Sequence, residues 1–299
     1  MGAAPVVIAH RGASGYLPEH TLPAKALAHG LGADFLEQDV IATKDGGLIV
    51  FHDLYLDAMT DVAARFPGRA RADGRHYCID FTLAEIRSLR VTERRRKDGA
   101  GVRYPGRFPA DTGQFRIHTL EEELEFVRGL NRSTGRQAGV YAEIKDPAWH
   151  ADHGMPLGDR LVGVLRDFGY QGRDDNFFIQ CFSAAELRRV RAVGGGDLPL
   201  VQLLEESAAV DPLALEAIAT YADAIGPPIR LCWPDRGLVA AARSRGLAVH
   251  PYTFRADELP PGFDRFEDLV AAFVDTLAVD GLFTDFPDLV LQQIRAGRR

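Results

Sequence analysis

Phe35-Leu36-Glu37-Gln38-Asp39-Val40-Ile41-Ala42-Thr43-Lys44-Asp45-Gly46-Gly47-Leu48-Ile49-Val50-Phe51 reads as two apolar strands around a six-residue connection. That connection is too short for a parallel crossover, which needs about a dozen residues. Asp45-Gly46 is also a hairpin-turn pair. The two strands are therefore expected to lie side by side, antiparallel. Seven further strand candidates surround them: Val6–Ala9, Gly139–Ile144, Phe177–Phe182, Leu198–Leu203, Ala222–Ile225, Leu247–Tyr252 and Gly281–Thr284. Helical stretches alternate with these strands, at Leu22–Leu31, Leu83–Leu89, Leu120–Leu130, Leu157–Phe168, Ala184–Val193, Pro212–Tyr221, Pro234–Ser244 and Phe266–Thr276. Thr82, Ser183 and Asp211 stand as N-caps ahead of three of them. Such alternation implies a mostly parallel sheet covered by helices. One member of the antiparallel pair then lies outside any regular eight-stranded barrel.

The chain has 299 residues, 46% of them hydrophobic, with 35 basic and 42 acidic side chains and a net charge of −7. This composition excludes a disordered or fibrous protein. It also excludes sequence-independent nucleic-acid binding, which needs a basic footprint. No apolar run approaches the roughly 20 residues of a membrane span. Three cysteines, Cys78, Cys181 and Cys232, fit neither a zinc pattern nor a disulfide scaffold. The N-terminal Met1-Gly2-Ala3-Ala4-Pro5 has no signal character, so either the protein is cytosolic or a signal has been removed.

The stretch 54–114 breaks the rhythm with Arg, Gly and Pro, including Arg94-Arg95-Arg96-Lys97 and Tyr104-Pro105-Gly106-Arg107-Phe108-Pro109. It is expected to be an insertion that caps one side of the active face, with the basic run solvated.

Ionisable residues collect at strand ends. His10-Arg11-Gly12 follows the first strand, bringing a group that titrates near neutrality and a planar fork suited to phosphate oxygens. Glu37 and Asp39 share a strand face by the period of two. On a strand this apolar they call for compensation, as a hard divalent cation would give. His52 follows the next strand, and Glu143 and Lys145 share a face of another. Three carboxylates, two His, one Arg and one Lys at the same end of neighbouring strands are hard to explain as structure, because buried ionisable groups are rarely left unpaired. The remaining His118, His76, His150 and His153 are expected at the surface, and His250 is a candidate lining residue.

With these residues the sequence resembles the glycerophosphodiester phosphodiesterase family. The resemblance is carried by His10-Arg11-Gly12-Ala13, Pro18-Glu19-His20-Thr21, Glu37-Gln38-Asp39, Lys44-Asp45-Gly46, His52-Asp53 and Glu143-Ile144-Lys145. It continues through Gln180-Cys181-Phe182, His250-Pro251-Tyr252-Thr253 and Thr284-Asp285-Phe286-Pro287. It implies one distorted TIM (β/α)8 barrel of the phospholipase C-like phosphodiesterase type over residues 1–299. It also implies hydrolysis of glycerophosphodiesters such as glycerophosphocholine and glycerophosphoethanolamine to sn-glycerol 3-phosphate and an alcohol. By position the resemblance implies that Glu37, Asp39 and Glu143 would hold one divalent metal, with Ca²⁺ favoured over Mg²⁺. It also implies that His10 and His52 would form the acid/base pair and that Arg11 and Lys145 would hold the phosphate. Phe182, Tyr252 and Trp233 are candidates for the substrate walls, and Glu19 and Asp285 for supporting contacts. Many members carry Asn where His20 stands. The insertion resembles the bacterial periplasmic-type branch, so a periplasmic or secreted location stands beside the cytoplasmic one. The expected partner is a small molecule, with neither nucleic acid nor stable membrane insertion, on a monomer or homodimer. Two other readings are a phospholipase of the same barrel superfamily, which would need membrane-facing loops, and a catalytically silent binding protein, against which the retained His and carboxylates speak.

Overall fold

The computed structural model describes residues 4–96, 98–195, 197–208 and 210–297. Lys97 of the basic run and Met1-Gly2-Ala3 fall outside them. Among the described residues nine strands form one sheet: β1 Val6–Ala9, β2 Phe35–Ala42, β3 Leu48–Val50, β4 Gly139–Ile144, β5 Phe177–Cys181, β6 Leu200–Leu203, β7 Ala224–Gly226, β8 Ala248–Val249 and β9 Gly281–Thr284. Eight of them run parallel in the order β8-β7-β6-β5-β4-β2-β1-β9, and β3 pairs only with β2. That pair is antiparallel, with Val40 opposite Val50, and Gly46 takes the left-handed turn position at φ +82°. Past β8 the backbone reaches β9: Phe283 N–H donates to Pro251 (3.0 Å) and Phe254 N–H to Phe283 (2.8 Å), which nearly closes the barrel.

Alternation along each strand separates two environments. Val7, Leu36, Val40, Val140, Ala142, Ile144 and Ile179 belong to the main core between sheet and helices. Ile8, Phe35, Tyr141, Val201, Ala224 and Phe283 fill the barrel interior, with Phe178 against them. Two or four residues further along the same inward faces come His10, Glu37, Asp39, Glu143, Lys145 and Gln180. The parity that plugs the lower barrel with apolar side chains thus presents polar ones at its C-terminal end.

The proposed caps are in place: the side chains of Thr82, Ser183 and Asp211 accept from the backbone N–H of Glu85, Glu186 and Ala214. The expected helix from Pro234 begins only at Gly237, preceded by a separate turn over Ile229–Cys232. The helix Pro287–Ala296 was not anticipated from the sequence. All three cysteines are buried and free.

Residues 54–114 contribute to a second core, in which Leu56, Met59, Val62, Phe81, Ile86, Leu89 and Val91 pack on Ile41 and Ile49 of the β2–β3 hairpin. Several expected surface residues lie inside. His76, His118 and His150 are buried. His76 Nδ1 meets Asp57 at 2.7 Å, His118 Nε2 meets Glu123 at 2.6 Å, and His150 Nε2 accepts from Ala42 N–H at 3.3 Å. Each has a polar partner far enough along the chain, or across a turn, that local composition cannot reveal it. His153 is exposed as expected. The basic run is not uniformly solvated either: Arg94 is largely buried between two carboxylates.

Candidate active site

The turn after β1 builds one wall. Arg11 takes a left-handed φ of 60° and Gly12 one of 88°. A Cβ on Gly12 would sit 2.8 Å from the Ala24 carbonyl carbon, so only glycine lets this turn rest on the following helix. A non-glycine residue at positive φ carries about 1–3 kcal/mol of strain. Here that conformation aims the Arg11 N–H at Glu37 Oε2, 2.7 Å away. The Arg11 guanidinium lies 3.3 Å from Asp39 Oδ2 and donates to Glu19 Oε1 at 2.8 Å.

The carboxylates Glu37, Asp39 and Glu143 are all buried. Asp39 and Glu143 are register partners in the β2–β4 ladder. Lys145 Nζ lies 2.8 Å from Glu143 and 3.8 Å from Asp39. Gln180 Nε2 donates to Glu37 at 3.3 Å, and His20 Nε2 meets Asp39 Oδ2 at 2.7 Å. Burial pushes Glu37 well above the usual carboxylate range, with Asp39 adding to it. Burial likewise pushes Glu143 to about 8, with Lys145 opposing and Asp39 reinforcing the rise. Asp39 stays well below that range despite burial, because Lys145, His52 and Arg11 hold its charge.

The two histidines are mounted alike. His10 Nδ1 meets Asp285 Oδ1 at 2.7 Å, and His52 Nδ1 meets Asp53 Oδ1 at 2.5 Å. A ring whose Nδ1–H donates to a carboxylate presents an unprotonated Nε2 to the cleft. Burial and the neighbouring Arg11 lower the His10 pKa to about 4, against the pull of Asp285. Burial, Arg11 and Lys145 lower that of His52 to about 3. Burial would raise Asp285, yet Arg255, His10 and Arg107 hold it below its usual range. His10, Arg11, Glu37, His52, Glu143, Lys145, Gln180, Phe182, Tyr252 and Arg255 line one cleft of about 200 Å³.

One cleft thus gathers two cations, two histidines and clustered carboxylates. A glycerophosphoryl diester phosphodiesterase family model matches residues 10–289. The chain belongs to that family. The Haemophilus influenzae glycerophosphodiester phosphodiesterase is 42% identical over 319 residues, covering 95% of this chain and 88% of that protein. The Treponema pallidum glycerophosphodiester phosphodiesterase is 36% identical, covering 95% and 90%. A solved family structure from Silicibacter pomeroyi matches with a TM-score of 0.78 at 25% identity, covering 99% of this chain and 95% of that one. The fold is thus the family's TIM barrel, and the activity is that of a glycerophosphodiester phosphodiesterase.

Of the site residues expected from the sequence, His10, Arg11, Glu37, His52, Glu143, Lys145, Phe182 and Tyr252 line the cleft, and Asp39, Asp285 and Glu19 contact those residues from behind. Trp233 lies elsewhere, half-buried against Phe263 and Phe273. Glu19 faces Arg11 and Arg94. His250 sits below the cleft, its Nδ1 2.9 Å from the Tyr141 hydroxyl. Tyr252 donates from its hydroxyl to the Leu204 carbonyl at 2.6 Å, which fixes its ring in the wall. Sequence reasoning missed Arg94, Arg107, Arg255 and Lys25 as contributors. Asp53 carried the one available signal, its adjacency to His52; the arginines reach the site only through long-range packing.

Among the described residues no helix is long and apolar enough to cross a membrane.

Proposed function

We propose that the protein hydrolyses glycerophosphodiesters with small alcohol head groups, glycerophosphocholine and glycerophosphoethanolamine among them, to sn-glycerol 3-phosphate and the free alcohol, with His10 and His52 as the acid/base pair. One observation carries this reading: two neutral histidines, each with Nδ1 on its own aspartate, face the same cleft as Arg11, Lys145 and three carboxylates. A diester is an anion, and Arg11 and Lys145 hold it by its non-bridging oxygens. One histidine accepts the proton of the attacking hydroxyl through Nε2, and its aspartate stabilises the imidazolium that results. The other takes up a proton once the diester's charge offsets Arg11 and Lys145, and gives that proton to the departing alkoxide. Phe182 and Tyr252 wall the glycerol end, and residues 54–114 cap the face above it. The attacking hydroxyl is either the substrate's own 2-hydroxyl, by way of a cyclic phosphate, or water; trapping of the cyclic species tells the two apart.

Glu37, Asp39 and Glu143 suit a divalent cation. Burial and mutual repulsion keep Glu37 and Glu143 from ionising alone, and that is the strain a cation relieves. An all-carboxylate set favours Ca²⁺ or Mg²⁺, and we assign Ca²⁺. Among the described residues, the group whose potential ligand atoms all lie within 4.8 Å of one another is His20, Glu37 and Asp39, with His20 Nε2 on Asp39 Oδ2 at 2.7 Å, so Glu143 would have to move in for the three carboxylates to share the cation. When bound, the cation polarises a phosphoryl oxygen and offsets the charge of the diester. The test is release of sn-glycerol 3-phosphate from glycerophosphocholine with and without chelator, then with Ca²⁺ or Mg²⁺ restored. Full activity in chelator removes the metal assignment, and turnover by His10→Ala at the wild-type rate removes the acid/base assignment.

A further inference from the structure

We propose that Arg94 and Arg107, both from the inserted segment, are positioning residues of the reaction, each locking the aspartate that orients one of the two cleft histidines. Arg94 Nη1 donates to Asp53 Oδ2 at 2.7 Å, while Asp53 Oδ1 holds His52. The same guanidinium donates twice to Glu19, at 2.9 and 2.6 Å, and Glu19 holds Arg11. One side chain thereby joins the supports of His52 and of the phosphate-binding Arg11. Arg107, whose side chain is only 4% exposed, repeats the device at the other histidine. Its Nη2 donates to Asp285 Oδ2 at 2.7 Å, an oxygen it shares with Arg255 Nε at 2.9 Å, while Asp285 Oδ1 holds His10. Its remaining nitrogens reach Asp257 and the Ser14 carbonyl, and the Ser14 hydroxyl donates to the His10 carbonyl.

The physical reason is rotation. A carboxylate bonded through one oxygen can turn about its χ2, carrying the imidazole with it. A second bond on the other oxygen fixes its plane, and a charge-assisted arginine bond does so firmly. Catalytic geometry is lost over displacements of about 1 Å. An insertion merely anchored to the barrel could end its arginines on any surface acid. These two end on the far oxygens of the two aspartates that hold the cleft histidines, one on each side.

The proposal rests on the histidine reading above, so its test has a readout independent of turnover. The groups acting on His10 are Arg11 from its own turn, Asp285 beyond β9 and Arg255 from the loop after β8, with Arg107 on the far oxygen of Asp285 and Glu37 and His52 lining the same cleft. Removing Arg107 takes a positive charge from the Asp285 carboxylate, so His10 binds its proton more tightly. In the full-length Arg107→Met protein the His10 ring is expected to titrate at least about 0.5 pH unit higher by NMR. Its kcat on glycerophosphocholine should fall about tenfold or more, with KM little changed. Arg94→Met should alter kcat and KM together, because it also releases Glu19 and Arg11. Lysine at either position should restore part of the loss. Folded Arg107→Met whose His10 titrates where the wild type does overturns the proposal for that wall. Folded Arg94→Met with wild-type kcat and KM overturns it for the other. Should a methionine variant not fold, the lysine variants carry the test: they keep the charge and lose the fork, so a wild-type kcat in them overturns the role. Unchanged turnover in His10→Ala would instead overturn the catalytic reading, leaving the His10 titration to decide the positioning.

Discussion

Replacing Lys25 with Met removes a cation that no solvent reaches. Lys25 and Glu123 are both completely buried, with Nζ 2.9 Å from Glu123 Oε1. Lys25 also donates to the Glu37 carbonyl, and His118 holds the other Glu123 oxygen. Breaking a buried pair from one side leaves an uncompensated charge and costs about 3–5 kcal/mol. With a urea slope of about 3 kcal/mol/M, the unfolding midpoint falls by about 1 to 1.7 M. Replacing both partners, as Lys25→Met with Glu123→Leu, leaves no buried charge and should recover much of the loss. The pair also has a pH signature. Burial would raise the Glu123 carboxyl, but Lys25 and His118 bring it down from 4.5 to about 2. A depressed carboxylate stabilises fully above its unfolded pKa, and that stability disappears as pH falls through its folded pKa. The wild type therefore keeps this contribution above about pH 4.5 and loses it towards pH 2, whereas Lys25→Met loses it at higher pH. Chemical denaturation of the four proteins of the cycle, followed by circular dichroism from pH 7 to 3, reads both effects. A single variant destabilised by less than about 1 kcal/mol, with the double variant no better, refutes the reasoning.

Other outcomes follow from the cleft. His52→Ala should lose turnover and still bind Ca²⁺ by calorimetry, because His52 is placed as a proton carrier and not as a ligand; loss of binding contradicts that. Glu143→Gln should weaken Ca²⁺ binding by about tenfold or more while its metal-free melting temperature changes little. An unfolded variant whose residual folded fraction binds normally reverses that assignment. Asp285→Asn should lower kcat by about 10² or more, since the amide cannot both hold the His10 tautomer and stabilise its imidazolium; an unchanged kcat in a folded variant refutes the His10–Asp285 pairing.

The sequence by itself determined the strand-and-helix rhythm, the hairpin that sets β3 outside the barrel and the carboxylate pair Glu37 and Asp39. These are legible because they depend on periods of two and 3.6 and on a turn of six residues. The His10-Arg11-Gly12 turn was legible for a similar reason, since its chemistry lies within a few residues. Only the tertiary structure decided which ionisable groups meet. Asp285 reaches His10 across 275 residues, Arg94 reaches Glu19 across 75, and Arg107 reaches Asp285 across 178. It also decided that His76, His118 and His150 are interior and that Trp233 stands away from the cleft. The reason is that a buried charge is tolerated wherever the fold supplies a partner, and the partner's distance along the chain leaves no local mark. The segment 54–114, read from its composition as a basic cap, places Arg94 and Arg107 on Asp53 and Asp285, the hydrogen-bond partners of His52 and His10.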